Sequence, residues 1–410
     1  MALFRSNKTS TGFAAGSQNK NNKNKRRAVR IGLFFVALLL IAGGAFAWKT
    51  GFVLNKISQG NANIFKSLVK SLPGMRDTLK GEDEGRINIL LLGMRGENVP
   101  GGGLLADTIM VLSIHPKAEG VEGDQPKASL ISIPRDLYVT VPGKSEQRKI
   151  NAVYALGEER KHGGGGIEDM QKIVSEVTGQ KIGYTAVINF QGFKDLINAL
   201  GGVTVTLDQP FQEGVQFLGL EQRCDGITYT IPSGNYEEKR IQRKNGTYYA
   251  NPKRYPLCFA KVEPENLECG GNFSLPAGEN RLDGDTALCY ARSRATSSDF
   301  ERARRQQQVL QAVKAKALSI GTLTDFSKVN AMLDSLGNNA TTNLEAWELK
   351  RFFDLYQQIG EVKLNQRVLE DSEEGLLYAP PQTKETGYIL LPRGDNYDRI
   401  HELFKNSLNY

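Results

Sequence analysis

The sequence sets Arg292-Ser293-Arg294 a few residues ahead of Asp299, Arg302 and Arg304-Arg305-Gln306. On a helix, Asp299, Arg302 and Gln306 fall at i, i+3 and i+7 and share one stripe. The same stripe continues through Val309 or Leu310 to Val313 and Ala317. One helix face is therefore apolar and core-directed at one end and acid, base and amide at the other. Inward polar groups need partners. A structural ion-pair network or a solvated helix end would by itself explain a charge run. The two arginines ahead of the helix weigh for an anionic ligand. Guanidinium groups gathered at a helix N-terminus suit phosphate or pyrophosphate, through bidentate hydrogen bonds and the helix dipole.

Two other stretches add to this chemistry. Ser132-Ile133-Pro134-Arg135-Asp136 closes a predicted strand, and ligands of layered α/β sheets bind where strands end. Arg135 can join a cationic clamp and Asp136 can orient it, whereas a turn with a surface ion pair is the plainer alternative. Lys149 and Asn151 follow as a further cation and hydrogen-bond donor. Asp107-Thr108 stands before another strand, where a lone Asp is usually a turn or cap residue. Beside phosphates it can hold Mg2+, which takes one or two carboxylates plus phosphate oxygens and water. The glycine runs at 101–103 and 163–166 match no P-loop, since no Gly-Lys-Ser/Thr follows. No G-x-S-x-G, H-E-x-x-H or G-x-G-x-x-G pattern occurs, and the three histidines have no metal spacing.

The elements that must position these residues follow from periodicity. Strands are expected at 87–92, 109–114, 128–133, 137–141, 184–190 and 203–207, and helices at 150–156, 167–177, 191–200 and 299–318. This alternation argues for an α/β domain with a largely buried sheet. Residues 208–280 break the rhythm and read as an insertion outside the core. Beyond residue 321 two helices are expected. Thr342 and Glu345 form a capping box for the second, and Trp347, Phe352, Leu355 and Ile359 line one of its sides. A strand at 388–391 and a short helix at 397–408 end the chain.

Charge and cysteine usage bound the location. The net charge of +7 is local, because residues 1–30 hold eight Lys or Arg and the first acid is Asp77. The remaining residues carry 44 basic and 45 acidic groups, so no protein-wide field for nucleic acid is indicated. Residues 31–48 are uncharged and long enough to span a bilayer. The basic residues before them put the N-terminus in the cytoplasm and the rest outside. A cleaved signal peptide is the rival, since Ala45-Phe46-Ala47 resembles a cleavage site. Of the four cysteines, Cys224, Cys258 and Cys269 could form a disulfide outside the membrane. Cys289, between Leu288 and Tyr290, reads as a buried small apolar residue.

Taken in order, these stretches resemble the LytR-CpsA-Psr family of cell-envelope phosphotransferases. Asp107-Thr108 looks like its first motif, and Ser132 to Asp136 with Lys149-Ile150-Asn151-Ala152 like its middle. Asn189-Phe190-Gln191-Gly192-Phe193 with Leu200-Gly201-Gly202-Val203 resembles its helix-and-strand segment. Leu282-Asp283-Gly284, Tyr290 to Arg294, and Asp299 through Gln306 resemble its signature end. The resemblance covers about residues 86–318.

It implies a layered αβα sheet domain with a hydrophobic lipid pocket, which the run at 31–48 would precede as one N-terminal transmembrane helix. It implies transfer of a glycopolymer from a polyprenyl-pyrophosphate carrier to peptidoglycan at the membrane. By position, Arg135, Arg292, Arg294, Arg302 and Gln306 would bind pyrophosphate, with Lys149 and Asn151 beside them. Asp107 and Asp299 would serve Mg2+ binding and catalysis, and Asp136 or Asp299 would take the proton. The family often has an acid two residues beyond the first strand's glycine. Here Gly93 is followed by Met94 and Arg95, so a cation stands where a metal ligand could, and the Mg2+ site leans on Asp107. The expected organisation is a cytoplasmic tail (1–30), an anchor (31–48), a stalk (49–85), a catalytic domain (86–318, with the 208–280 insertion) and an accessory region (319–410). A non-catalytic protein that binds lipid-linked phosphate or wall polymer, or a pyrophosphate hydrolase, is the alternative.

Overall fold

A computed structural model describes residues 78–97, 103–116, 125–262, 267–294, 298–317, 364–373 and 375–409, with scattered positions from 337 to 362. Among the described residues no helix is long and apolar enough to cross a membrane. The expected anchor at 31–48 lies outside them.

The Ile-Asn-Ile-Leu-Leu-Leu run forms β1 (Ile87–Gly96), which lies within a six-stranded sheet. It pairs antiparallel with β2 (Gly103–His115), which pairs antiparallel with β3 (Lys127–Ser132). The short hairpin β4 (Tyr138–Thr140) and β5 (Gln147–Lys149) follows, then a 3-10 turn (Ile150–Ala152) leading into α1 (Val153–Arg160). Next come α2 (Gly165–Thr178) and β6 (Tyr184–Asn189), which runs parallel to β1 on its other side. The chain then forms α3 (Phe190–Ala199), β7 (Val203–Leu207), and β8 to β12 at Phe211–Glu213, Glu221–Arg223, Tyr229–Lys239, Lys253–Ala260 and Phe273–Leu275. β13 (Gly278–Leu282) pairs with β7 and leads to α4 (Gly284–Arg292) and α5 (Asp299–Ala317). β14 (Ala340–Thr342) and β15 (Leu364–Val368) take the two edges of the main sheet. The sheet therefore crosses the boundary expected at 318. β16 (Leu377–Tyr378) pairs with β17 (Leu391–Pro392), and α6 (Asp398–Asn406) follows.

Period-2 alternation gives the sheet two faces. Leu90, Leu92, Ile109, Val111 and Ile131 pack against Val153 of α1, Met170, Ile173 and Val174 of α2, and Ile400 and Phe404 of α6. Leu91, Thr108, Met110, Ala186 and Ile188 point the other way, toward α3, α4 and α5. The expected helix–sheet–helix layering is present.

Three local expectations are corrected. The 208–280 segment is not wholly outside the core. Phe217, Phe273 and Leu275 are buried in a second cluster with Val203, Val205 and Leu282, because the β8–β12 pair folds back onto the β7–β13 pair. Cys289 is not a free apolar filler. It bonds to Cys269, while Cys224 bonds to Cys258, as expected of the insertion. The Thr342–Glu345 capping box does not form. Thr342 ends β14 and its hydroxyl donates to Thr185 O and accepts from Leu344 N, while Glu345 N donates to Glu348. Trp347, Phe352 and Leu355 do line one side, against Leu79, Ile87 and Tyr184. Ile359 lies outside the described residues.

Candidate active site

The site begins with an irregularity in β2. Gly93 pairs with Thr108 and Met94 with Ala106, so the ladder skips Asp107. Such a bulge leaves one residue unpaired and re-aims its side chain. Gly93 is needed here, because a Cβ at this position would sit 2.9 Å from the Thr108 Cβ.

Arg135 meets the re-aimed carboxylate. It lies in the turn that follows β3, beyond Pro134. Its Nη1 donates to Asp107 Oδ1 at 2.9 Å and its Nε to Asp299 Oδ2 at 3.2 Å. Asp136 Oδ2 lies 3.6 Å from the same Nε. Lys149 donates to the other Asp136 oxygen at 2.7 Å, and Asn151 donates to Asp107 at 3.4 Å. Backbone bonds hold this corner: Asn151 N reaches Arg135 O, and Ile150 N reaches Leu137 O.

From α5, Arg302 Nη2 contacts Asp299 Oδ2 at 3.3 Å, and Arg294 Nη1 lies 3.8 Å from Asp299 Oδ1. Seven of the expected site residues thus meet: Asp107, Arg135, Asp136, Lys149, Asn151, Asp299 and Arg302, with Arg294 at the edge. Burial works against the charge on Arg135, but Asp107, Asp299 and Asp136 outweigh it and hold its pKa above the ordinary value. Arg302, 8% exposed, shows the reverse. Burial lowers its pKa, Asp299 opposes this, and neighbouring Arg135 adds to the lowering. The site keeps a desolvated cation close to other cations.

Gln306 continues the α5 stripe. It lines the small polar pocket of Asp107, Arg135, Asp299 and Arg302, and also a separate cavity of about 340 Å3. That cavity lies between the sheet and α3, α4 and α5. Its walls include Met110, Ala186, Phe193, Leu288, Leu310 and Val313. Thr108, opposite on β2, lines both spaces as well. One helix thus carries the polar pocket at its first turns and an apolar wall two turns later, as its stripe predicts. The other arginines of the run are structural. Arg305 donates to the Tyr290 and Ser293 carbonyls that precede α5, and Arg304 pairs with Glu301 and Glu370. Gln307 ties α5 to the sheet through Ser132 Oγ and Arg367 O, each at 2.8 Å.

Arg292 stands apart from the Asp107–Arg135–Asp299 cluster. It lines the apolar cavity and its Nη2 pairs with Glu268 Oε2 at 2.7 Å. Sequence reasoning missed Glu268, in an irregular segment, and gave no role to Phe190 beyond its motif.

The family model described as LytR_cpsA_psr matches residues 53–391. The chain belongs to this family. Among curated LytR_cpsA_psr relatives, the polyisoprenyl-teichoic acid–peptidoglycan teichoic acid transferase TagU of Bacillus mycoides is 27% identical over 318 residues, covering 76% of this chain and 77% of TagU. The TagU of Oceanobacillus iheyensis is 28% identical and covers 79% of each chain. Two solved structures share the fold. TagT bound to LIIa-WTA has a TM-score of 0.51 at 22% identity, covering 82% of this chain and 95% of that one. A Streptococcus agalactiae protein has a TM-score of 0.51 at 20% identity, covering 82% and 92%.

The resemblance to this family implies Mg2+. No group of three or more His, Cys, Asp or Glu side chains that could hold a metal occurs among the described residues. Asp107 and Asp299 line one pocket and both accept from Arg135. A hard cation that keeps its waters and takes substrate phosphate oxygens needs only one or two carboxylates. The donor set fits an ion that arrives with pyrophosphate.

Proposed function

We propose that this chain is a membrane-anchored phosphotransferase that moves a glycopolymer from a polyprenyl-pyrophosphate carrier to peptidoglycan. One observation carries the reading: α5 joins an arginine–carboxylate pocket to an apolar cavity, with Gln306 and Thr108 in both. A lipid pyrophosphate has the same two-part chemistry, a charged head on an apolar chain. The cavity volume falls within the range of small-ligand sites, about 300–1,000 Å3. Family membership and relatives named as teichoic acid transferases to peptidoglycan support the same reaction.

In this reaction a peptidoglycan sugar hydroxyl attacks the phosphorus that carries the glycopolymer. The bond from that phosphorus to the bridging oxygen breaks, polyprenyl phosphate leaves, and a phosphodiester links the polymers. Negative charge grows on the non-bridging and leaving oxygens. Arg135 and Arg302, held before the reaction by Asp107 and Asp299, stabilise that charge most in the transition state, with Arg294 at the edge. Asp299 is the better general base, because it lines the pocket beside Arg302, whereas Asp136 is buried against Lys149. Asp107 would hold Mg2+, which when bound neutralises phosphate oxygens.

Residues 31–48 serve as the anchor in this proposal, with 1–30 in the cytoplasm, 49–85 as a stalk and the folded part outside the membrane. Two disulfides suit that oxidising side. Purified full-length protein in detergent, given a polyprenyl-pyrophosphate oligosaccharide and peptidoglycan fragments, should release polyprenyl phosphate and form a phosphodiester-linked product by mass spectrometry. Release without acceptor would mean a hydrolase, and bound lipid without release a binder.

A further inference from the structure

The end of β1 and the end of α4 bring two arginines to one carboxylate. Arg95 Nη2 lies 2.6 Å from Glu268 Oε1, and Arg292 Nη2 lies 2.7 Å from Glu268 Oε2. Both guanidinium groups also stack on the ring of Phe190, at 6.0 Å and 5.0 Å from its centroid. Arg292 and Phe190 line the apolar cavity, and so does Gln306, which borders the Arg135–Arg302 pocket. The cavity therefore has one cationic group in its wall at Arg292 and borders a second through Gln306.

The Arg95 group is not neutral, since two guanidinium charges face one carboxylate. Burial lowers the Arg292 pKa, Glu268 opposes this, and Arg95 adds to the lowering. Glu268 is the most exposed of the three, with a side chain 48% accessible against 31% for Arg95 and 20% for Arg292. It sits on the short turn Glu268–Gly271, whose Cys269 has a left-handed φ of 53°. The Cys269–Cys289 disulfide fastens this turn to α4 one helical turn before Arg292. An exposed carboxylate that makes two surface ion pairs is easily exchanged for a more highly charged anion.

Resting on the function proposed above and on the pyrophosphate role that the family resemblance gives Arg292, we propose that Arg95, which shares Phe190 and Glu268 with it, extends that contact into a second anion subsite, with Glu268 as the counterion that the donor's pyrophosphate displaces. The Arg135–Arg302 pocket takes the phosphate that reacts, and the Arg95–Arg292 pair takes the phosphate that leaves with the lipid. Arg95 becomes a specificity residue that separates diphosphate from monophosphate lipids. Glu268 sets a threshold that weakly charged lipids fail to cross.

The test uses the full chain in detergent and two probes with one tail, geranylgeranyl pyrophosphate and geranylgeranyl monophosphate, with Kd measured by calorimetry. Arg95→Gln should weaken diphosphate binding about tenfold and leave monophosphate binding within about threefold, while Glu268→Gln should tighten diphosphate binding by about tenfold. Both effects should shrink as salt rises. If Arg95→Gln leaves both Kd values unchanged, or weakens both probes equally, Arg95 is only a structural partner of Glu268 and the subsite is wrong. Glu268→Gln keeps the question open to measurement if Arg95→Gln unfolds; weaker or unchanged diphosphate binding then overturns the proposal. Arg302→Ala read in the same assay separates the two ideas. Diphosphate binding that depends on Arg302 but not on Arg95 overturns this subsite alone. A wild-type chain with no preference for the diphosphate overturns the proposed function, and this inference with it.

Discussion

Arg135 and Asp299, 164 positions apart in the chain, meet at 3.2 Å, and this contact closes the turn after β3 onto the first turn of α5. The same guanidinium holds Asp107 on its other side. Three carboxylates, Asp107, Asp136 and Asp299, surround this one guanidinium. Asp299 is the shared one, facing Arg135, Arg294 and Arg302.

Asp299→Asn should therefore cost both activity and stability. It leaves Arg302, a mostly buried cation, short of its partner, and breaking one side of such a pair costs about 3–5 kcal/mol when burial is complete. The exposure of Asp299 argues for the low end. The thermal midpoint should fall, and millimolar inorganic pyrophosphate should restore part of it by binding the folded state. A midpoint equal to wild type would mean that Asp299 holds nothing in place.

Ala186→Phe tests the apolar cavity. Ala186 lies on the cavity face of β6, opposite Leu91 of β1. A phenyl ring there fills space meant for the lipid chain and leaves the arginine pocket alone. Donors with long prenyl chains should lose affinity by tenfold or more, on the order of 1.4 kcal/mol, while inorganic pyrophosphate should bind as before. Equal binding of long-chain donors would place the lipid elsewhere.

Asp107→Asn should raise the Mg2+ concentration needed for half-maximal transfer, since a neutral amide is a poorer ligand for a hard cation. The readout besides activity is the Mg2+-dependent rise in thermal midpoint with pyrophosphate present, which should shrink in the variant. Identical Mg2+ curves would remove Asp107 from metal binding.

Asp283 caps α4, the helix that carries Arg292. It accepts from Thr286 N and the Thr286 hydroxyl, and these bonds lower its pKa. A depressed carboxyl pKa stabilises the fold above the unfolded value, near 3.9, and that contribution is lost as pH falls through the lower folded value. Asp283→Ala should cost about 1 kcal/mol at neutral pH, and the gap to wild type should narrow as pH drops below about 4. A gap independent of pH would mean that the charged cap contributes nothing.

Much of the layered sheet was legible, because Leu90, Leu92, Ile109, Val111 and Ile131 alternate with period 2 and α2 and α5 carry helical stripes. The polar-to-apolar stripe of α5 was legible for the same reason, and it led to Asp299, Arg302 and Gln306. The Asp107 bulge was not, since a skipped residue depends on the register between two strands and leaves no mark in either. The Cys269–Cys289 bond is a distance in space, and the flanking Leu288 and Tyr290 made Cys289 look like core. Glu268 sits in a turn without period, so nothing local tied it to Arg95 and Arg292. β14 and β15 are short and polar, and become strands only by pairing with β6 and β3.

The most direct measurement is the transfer rate and thermal midpoint of Arg302→Ala. Arg302 lies in the pocket, and burial already works against its charge. Asp299 keeps Arg135 and Arg294 as partners when Arg302 is gone, so the fold should lose little. The account predicts a rate lowered about a hundredfold, near 3 kcal/mol of transition-state stabilisation, with a midpoint close to wild type. Full activity, or an unfolded protein, would contradict it and leave these arginines as a structural network.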